Sequence, residues 1–346
     1  MHIPTNTPVA HVPEDYCPAG SARWFTLKDG PDAGKTIFYF DHQTGEGAPT
    51  ATVLMVHGNP ENSYTYRFVR DALIASGDNI RIVAMDHVGF GLSDQADFEM
   101  VDMHHAANLE QLVRALDLRD VTLLIHDWGG PIGVGALMAE PERVKALMVV
   151  NTTIFPMPAK GLTYTNFPYP WFPWYLTPRL MPVSLWGGVA AAVVQDFSKM
   201  PFGTFMGMAI KAIWAYARKA IPPGTAQYVN SEQFRSRANA RASTRHVKQT
   251  PVWGHGYRYT DARHGVQDNH GFYQTMQRVV PQAWKGIKAA GLFGQWDACG
   301  KDEVIAQWIA ALPQMENHVA RYPEGSHFIQ EGKGEEIAQA ILAMNR

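Results

Sequence analysis

An aspartate set in a sharp strand-to-helix turn is the residue of this 346-residue chain best placed to do covalent chemistry. Val121–Ile125 is almost wholly apolar and rich in β-branched types, so it reads as a strand buried on both faces. His126-Asp127-Trp128-Gly129-Gly130 follows, and then Pro131–Glu140 reads as a helix, with Pro131 in the first turn where a missing N–H is harmless. A strand running into a helix through so tight a turn lifts one side chain out of the fold, and in the nucleophile-elbow pattern that side chain is usually a serine. Here it is Asp127. A serine attacking saturated carbon would leave an ether that water cannot easily remove, whereas a carboxylate leaves an ester, which water can cleave. An aspartate nucleophile therefore points to displacement at an alkyl carbon, either a carbon–halogen bond or an epoxide. The plainer role for such a residue is to cap the helix after it. A base would come from His327, in Ser326-His327-Phe328, because the chain order nucleophile, acid, histidine puts it after the last strand.

The elements that must position these groups follow from the pattern of apolar runs. Arg23–Leu27 and Thr36–Asp41 alternate and flank Asp29-Gly30-Pro31, a hairpin signal. From about 51 to 150, apolar runs at Thr52–Val56, Ile80–Met85, Val121–Ile125 and Val144–Val150 alternate with helical spacing at Ser63–Ser76 and Asp102–Leu116. That alternation predicts an α/β fold, a parallel sheet with helices on both faces. Ligands in such sheets bind at the carboxyl ends of strands, where His57-Gly58-Asn59-Pro60, the 86–91 stretch DHVGFG and HDWGG at 126–130 all lie. Residues 155–280 break the pattern. They carry 11 of the 23 prolines and many aromatics, show helical spacing at about 187–198, 204–219 and 269–280, and contain no clear buried strand. They read as a mainly helical insertion that covers the strand ends. The alternation resumes with a strand at 289–293, a helix at 303–312, a strand at 318–322 and a final helix at 334–344. Residues 1–20 are expected to form an arm on the surface.

HGNP at 57–60 with Ser63 and Tyr64 after it, DHVGFGLSD at 86–94, HDWGGPIG at 126–133 and SHFIQE at 326–331 together resemble the haloalkane dehalogenases of the α/β-hydrolase superfamily. The resemblance covers about 50–155 and 285–346 and is weak across the insertion. It implies an α/β-hydrolase fold with a mostly parallel sheet of about eight strands, a core of 1–155 and 281–346, and a helical cap of 156–280. It implies that Asp127 displaces halide, that the Trp128 indole N–H and the Asn59 side-chain amide hold the halide, and that the backbone N–H groups of Asn59 and Trp128 hold the oxyanion of ester hydrolysis. His327 would direct water, oriented by Asp297, with Asp302 or Glu303 as the fallback acid. No cofactor and no metal is implied; the partners would be a small apolar substrate and water, with halide as product. The near relatives keep two other substrates open. Epoxide hydrolases would need two tyrosine donors, for which Tyr164, Tyr169, Tyr175 and Tyr216 are candidates, and β-lactone decarboxylases would use the same Asp, His, Asn and Trp. A binding protein of the same fold without turnover is the remaining alternative.

Composition narrows the classes. A net charge of −2 gives no field for nucleic acid, and 46% hydrophobic with 18% charged residues suits a globular protein. Arg235, Arg237, Arg241, Arg245 and Lys248 read as a solvated helix face. Two cysteines, Cys17 and Cys299, imply reduced thiols and a cytoplasmic setting, and no secretory leader pattern opens the chain. The longest apolar run, Met181–Val194, contains Pro182 and two glycines and is too short to span a bilayer; it reads as a buried helix, with no membrane partner expected. GFGLSD at 89–94 lacks the third glycine of a dinucleotide loop, and His104-His105 and His255…His264 lack metal-ligand spacing. Gly130-Pro131-Ile132 offers no arginine after the nucleophile, so a short haloacid substrate is not expected.

Overall fold

Eight strands form one sheet in the computed structural model, which describes residues 2–194 and 197–346. The first part of the core comprises β1 (Ala22–Thr26), β2 (Thr36–Gln43), β3 (Ala51–Val56), α1 (Arg67–Ala75), β4 (Ile80–Met85), α2 (Asp102–Ala115), β5 (Val121–His126), α3 (Gly129–Leu137) and β6 (Val144–Val150). The insertion carries the short hairpin β7 (Pro168–Tyr169) and β8 (Phe172–Pro173), then α4 (Thr177–Leu180), α5 (Trp186–Val193), α6 (Phe202–Ala217), α7 (Ala226–Glu232), α8 (Arg237–Gln249), a second hairpin of β9 (Arg258–Asp261) and β10 (Gly265–Asp268), and α9 (His270–Ala283). The chain closes with β11 (Lys288–Gly294), α10 (Asp302–Ala311), β12 (Val319–Tyr322) and α11 (Gly334–Asn345). The strand order is β1-β2-β4-β3-β5-β6-β11-β12, parallel from β4 to β12 and antiparallel only at β1 and β2. This is the mostly parallel eight-stranded sheet anticipated above.

β3 and β5 are buried along their whole length, because helices cover both faces of a parallel sheet. They pair in register, Val56 beside Ile125, so the loop carrying Asn59 and the turn carrying Asp127 leave the sheet side by side. α5 is buried at all eight positions, as expected of the 181–194 run; of the helical pattern at 187–198, residues 195 and 196 lie outside the described residues. α9 packs on the core, where its Phe272 ring lies against Gly135 of α3, and Asn269 and Tyr273 donate to the buried Asp102 of α2.

Two expectations need correction. The 1–20 segment is not merely a surface arm. Val9, Tyr16 and Cys17 are buried, and the Tyr16 hydroxyl donates to Asp86 Oδ2 at 2.7 Å, a partner 70 residues away that no local pattern announces. The basic stretch at 235–248 is only half solvated. Arg237 and Arg241 are exposed, but Arg235 pairs with Glu232 at 2.8 Å and Arg245 pairs with Glu99. The opposite face of α8 carries buried polar residues, Asn239, Ser243, His246 and, just past the helix, Thr250.

Candidate active site

Asp127 sits at the sharpest point of the β5–α3 turn, with φ +48°. A non-glycine residue is uncommon there, and aspartate and asparagine are among the few that tolerate it. The surroundings hold this backbone in place: the Asp127 N–H donates to Asn151 O at 3.3 Å and Thr152 Oγ1 donates to the Asp127 carbonyl at 2.5 Å. Two glycines let the segments close on one another. A Cβ on Gly129 would lie 2.0 Å from Val56 O, and one on Gly58 would lie 2.3 Å from Asp127 Oδ1. The result is a carboxylate only 4% exposed, with its two oxygens in different environments. Oδ1 accepts the Asn59 backbone N–H at 2.8 Å, and Oδ2 faces His327 Nε2 at 3.4 Å. Of the two backbone donors expected at this carboxylate, Asn59 is bonded to it and Trp128 is not.

The structure brings the five sequence-nominated residues together. His327 follows β12, and its Nδ1 lies at an ion-pair distance of 3.1 Å from Oδ2 of the fully buried Asp297. The fallback acids are elsewhere, with Asp302 exposed and paired with Arg321 and Glu303 exposed. Burial opposes a charge on His327, but Asp297 and Asp127, one at each ring nitrogen, outweigh it and raise the imidazole from 6.5 to about 10. The folded chain thus keeps a proton that the unfolded chain releases near 6.5, so this site contributes stability in full below 6.5 and loses it as pH rises through about 10. Denaturant unfolding of the parent and of His327→Phe across that window is expected to show their stability difference shrinking with rising pH; a constant difference would contradict the paired imidazolium.

Trp128 and Asn59 border a small cavity with Asp127, Phe167, Phe197 and His327. The cavity measures about 20 Å³, room for roughly one water. Among the described residues the Trp128 indole N–H has no hydrogen-bond acceptor, whereas those of Trp186, Trp253, Trp284 and Trp308 all have one. The Asn59 Nδ2 is also buried without a partner. Trp128 is held flat by Trp253, whose ring stacks on it at 3.9 Å and stacks in turn on Tyr164 at 5.2 Å. Of the four tyrosines considered above, only Tyr164 lines the cavity, and its hydroxyl donates to Asp297 Oδ1 at 3.3 Å. The Tyr169 and Tyr216 hydroxyls bond the carbonyls of Met200 and Phe234.

Sequence reasoning missed the groups that hold this constellation from behind. Asn151 ties three loops together: its Nδ2 donates to the Ser326 and His327 carbonyls at 2.9 and 3.0 Å, and its Oδ1 accepts the Gly294 N–H at 2.8 Å. His126, one residue before Asp127, bonds Glu61 Oε1 through Nδ1 at 2.8 Å and donates through Nε2 to the His327 carbonyl at 2.9 Å. Glu61, wholly buried, also accepts the Gly58 N–H at 2.7 Å. A row of four buried histidines, His57, His87, His105 and His246, runs beside Trp128; burial lowers all four, His87 to about 4 and His246 to about 3, which keeps them neutral. Among the described residues no group of three His, Cys, Asp or Glu side chains is placed to hold a metal ion, and no helix is long and apolar enough to cross a membrane.

The sequence profile of the alpha/beta hydrolase fold matches residues 51–333. Among characterised proteins, the chain is 28% identical over 314 residues to a cis-3-alkyl-4-alkyloxetan-2-one decarboxylase of Shewanella oneidensis, covering 89% of this chain and 84% of that one. It is 26% identical over 326 residues to haloalkane dehalogenase 2 of Mycobacterium tuberculosis, covering 93% of each. Among solved structures it superposes on the haloalkane dehalogenase DpaA from Paraglaciecola agarilytica with a TM-score of 0.61 at 22% identity, over 96% of this chain and 97% of that one.

Proposed function

The chain belongs to the alpha/beta hydrolase fold family, and on that premise we propose that it is an enzyme that displaces an anionic leaving group from a saturated carbon, as a haloalkane dehalogenase does. The observation that carries the reading is the pairing of a carboxylate at the elbow with two side-chain N–H groups on the same cavity, the Asn59 Nδ2, buried without a partner among the described residues, and the Trp128 indole. In the first step Asp127 Oδ2 bonds to carbon, the carbon–halogen bond breaks, and the halide leaves with its electron pair toward those donors. In the second, water attacks the ester carbonyl carbon, His327 takes its proton, and the oxyanion forms on Oδ1 beside the Asn59 N–H. The products are an alcohol, halide and a proton. Asp297 orients His327. Two amide-type donors hold an anion well but supply no proton, so they suit halide better than the alkoxide of an opened epoxide. The bonds already made by the Tyr164, Tyr169 and Tyr216 hydroxyls weigh the same way. Completeness of the Asp127–His327–Asp297 set argues against a binding protein without turnover.

We place the cap at 156–269, moving α9 to the core on its contacts with α2 and α3. The aromatic cap would exclude bulk water and bare the carboxylate, and its side chains must shift to admit a substrate larger than the cavity. The free cysteines fit a cytoplasmic setting.

The likeness to an oxetanone decarboxylase favours a second reading. There Asp127 would attack ring carbon 4 of a β-lactone, the ring C–O bond would break, and the freed carboxylate would occupy the donors. Loss of CO₂ would then form the alkene and return Asp127 as carboxylate, with no water consumed. Assays with 1-bromobutane, a cis-3,4-dialkyloxetan-2-one and styrene oxide separate the cases. We expect bromide and butanol in equal amounts. Alkene and CO₂ from the lactone without bromide release would replace dehalogenation by decarboxylation, and diol from styrene oxide would replace it by epoxide hydrolysis.

A further inference from the structure

Nothing in the Asn59 side chain itself decides which end of its amide faces the leaving group, and the choice matters: the nitrogen end attracts an anion and the oxygen end repels it. The structure supplies a partner that decides. Ser243 of α8 lies with its Oγ 2.5 Å from Asn59 Oδ1, across 184 residues of sequence. The same Oγ lies 2.8 Å from the indole Nε1 of Trp186 on α5. Ser243 and Trp186 are both buried, at 0% and 1% exposure. An indole N–H only donates, so Ser243 Oγ must accept from Trp186 and has its own proton left to give. A helical serine commonly returns that proton to the carbonyl one turn back; here it goes to Asn59 Oδ1. Once Oδ1 is engaged, Nδ2 is turned the other way, and it is the buried Asn59 atom left without a partner.

We propose that Trp186 and Ser243 are positioning residues that fix the Asn59 amide with its N–H₂ toward the leaving group, so the relay Trp186→Ser243→Asn59 sets the anion affinity of the pocket. Neither residue touches the reacting atoms in this scheme; both act through Asn59. The inference rests on the displacement reading but reaches outside it, because two cap helices, α5 and α8, then determine leaving-group binding in a loop of the core.

The test is bromide binding to the full-length protein, followed by quenching of tryptophan fluorescence, alongside kcat and KM for 1-bromobutane. Ser243→Ala is expected to weaken bromide binding at least tenfold and to lower kcat by a similar factor with little change in KM. Ser243→Thr, which keeps the hydroxyl, should recover most of both. Asn59→Ala combined with Ser243→Ala should lose no more than Asn59→Ala alone, since the serine acts only through that amide. Bromide affinity and kcat within twofold of the parent in Ser243→Ala, while Asn59→Ala loses both, overturns the relay. Should Ser243→Ala fail to fold, Trp186→Phe leaves the hydroxyl but frees its direction; a several-fold loss of bromide affinity supports the relay and an unchanged affinity overturns it. A parent that binds bromide through Asn59 but never turns over 1-bromobutane sinks dehalogenation alone, and the relay is still decided by the bromide constants. A parent that binds no bromide overturns both.

Discussion

Replacing His327 with Phe should stop the enzyme halfway, with 1-bromobutane adding one butyl group to the peptide that holds Asp127. The first step needs only the carboxylate and the donors, so alkylation proceeds. The second needs a base within reach of the ester, and His327 Nε2, 3.4 Å from Asp127 Oδ2, is the group at that place. General-base assistance contributes about 10²–10⁴-fold, so steady turnover should fall by that factor or more while the adduct accumulates within one turnover. The raised pKa explains why the same histidine is not wasted as a cation. It stands at about 10 because two carboxylates flank it. Alkylation turns Asp127 into a neutral ester and removes one of the two charges, so the imidazole drops toward neutrality in the intermediate that requires a base. Intact mass followed by peptide mapping reads the result. An unmodified protein, or an adduct on another residue, would remove Asp127 from the role given to it.

How far such a site can be read from sequence depends on where each group's partner lies. The elbow was legible because an apolar β-branched strand, two glycines and a proline in a helix's first turn are local signals; β5 falls where that pattern put it, and α3 runs Gly129–Leu137 against the expected Pro131–Glu140. His327 and Asp297 were legible through chain order and family resemblance, since each sits just after a strand whose own pattern is plain. What stayed hidden is polar burial between distant segments. Glu61 looks like a loop acid until His126, 65 residues on, comes against it. Tyr16 looks like part of a solvated arm until Asp86 accepts its hydroxyl. α8 is the clearest case. Hydrophobic periodicity reports apolar faces, and this helix turns Asn239, Ser243 and His246 inward while arginines mark the other side, so its pattern signals a solvated surface helix. The residue that orients Asn59 sits on that unmarked face.

Asp127→Asn should cost the most of any single change, with turnover falling about 10⁴-fold or further, as when a covalent nucleophile is removed from other hydrolases. Asparagine is the informative replacement. It tolerates the left-handed backbone at φ +48°, and its Oδ1 can still accept the Asn59 N–H that Asp127 takes at 2.8 Å, so the loss should fall on chemistry with little effect on folding. It also removes one of the two charges that raise His327, which should titrate lower than in the parent. Added to His327→Phe, it should abolish the alkyl adduct. A rival mechanism uses the same residues with Asp127 as a base that drives water directly onto the alkyl carbon, and loss of activity alone does not separate the two. The origin of the alcohol oxygen does. With enzyme in excess over 1-bromobutane in heavy-oxygen water, the covalent route places an Asp127 oxygen in the first butanol formed and leaves the heavy atom in the carboxylate, because water attacks the ester carbonyl carbon. The direct route puts the heavy atom in the butanol at once. Label in the first-turnover alcohol, or an Asp127→Asn variant within tenfold of the parent, would rule out the ester intermediate.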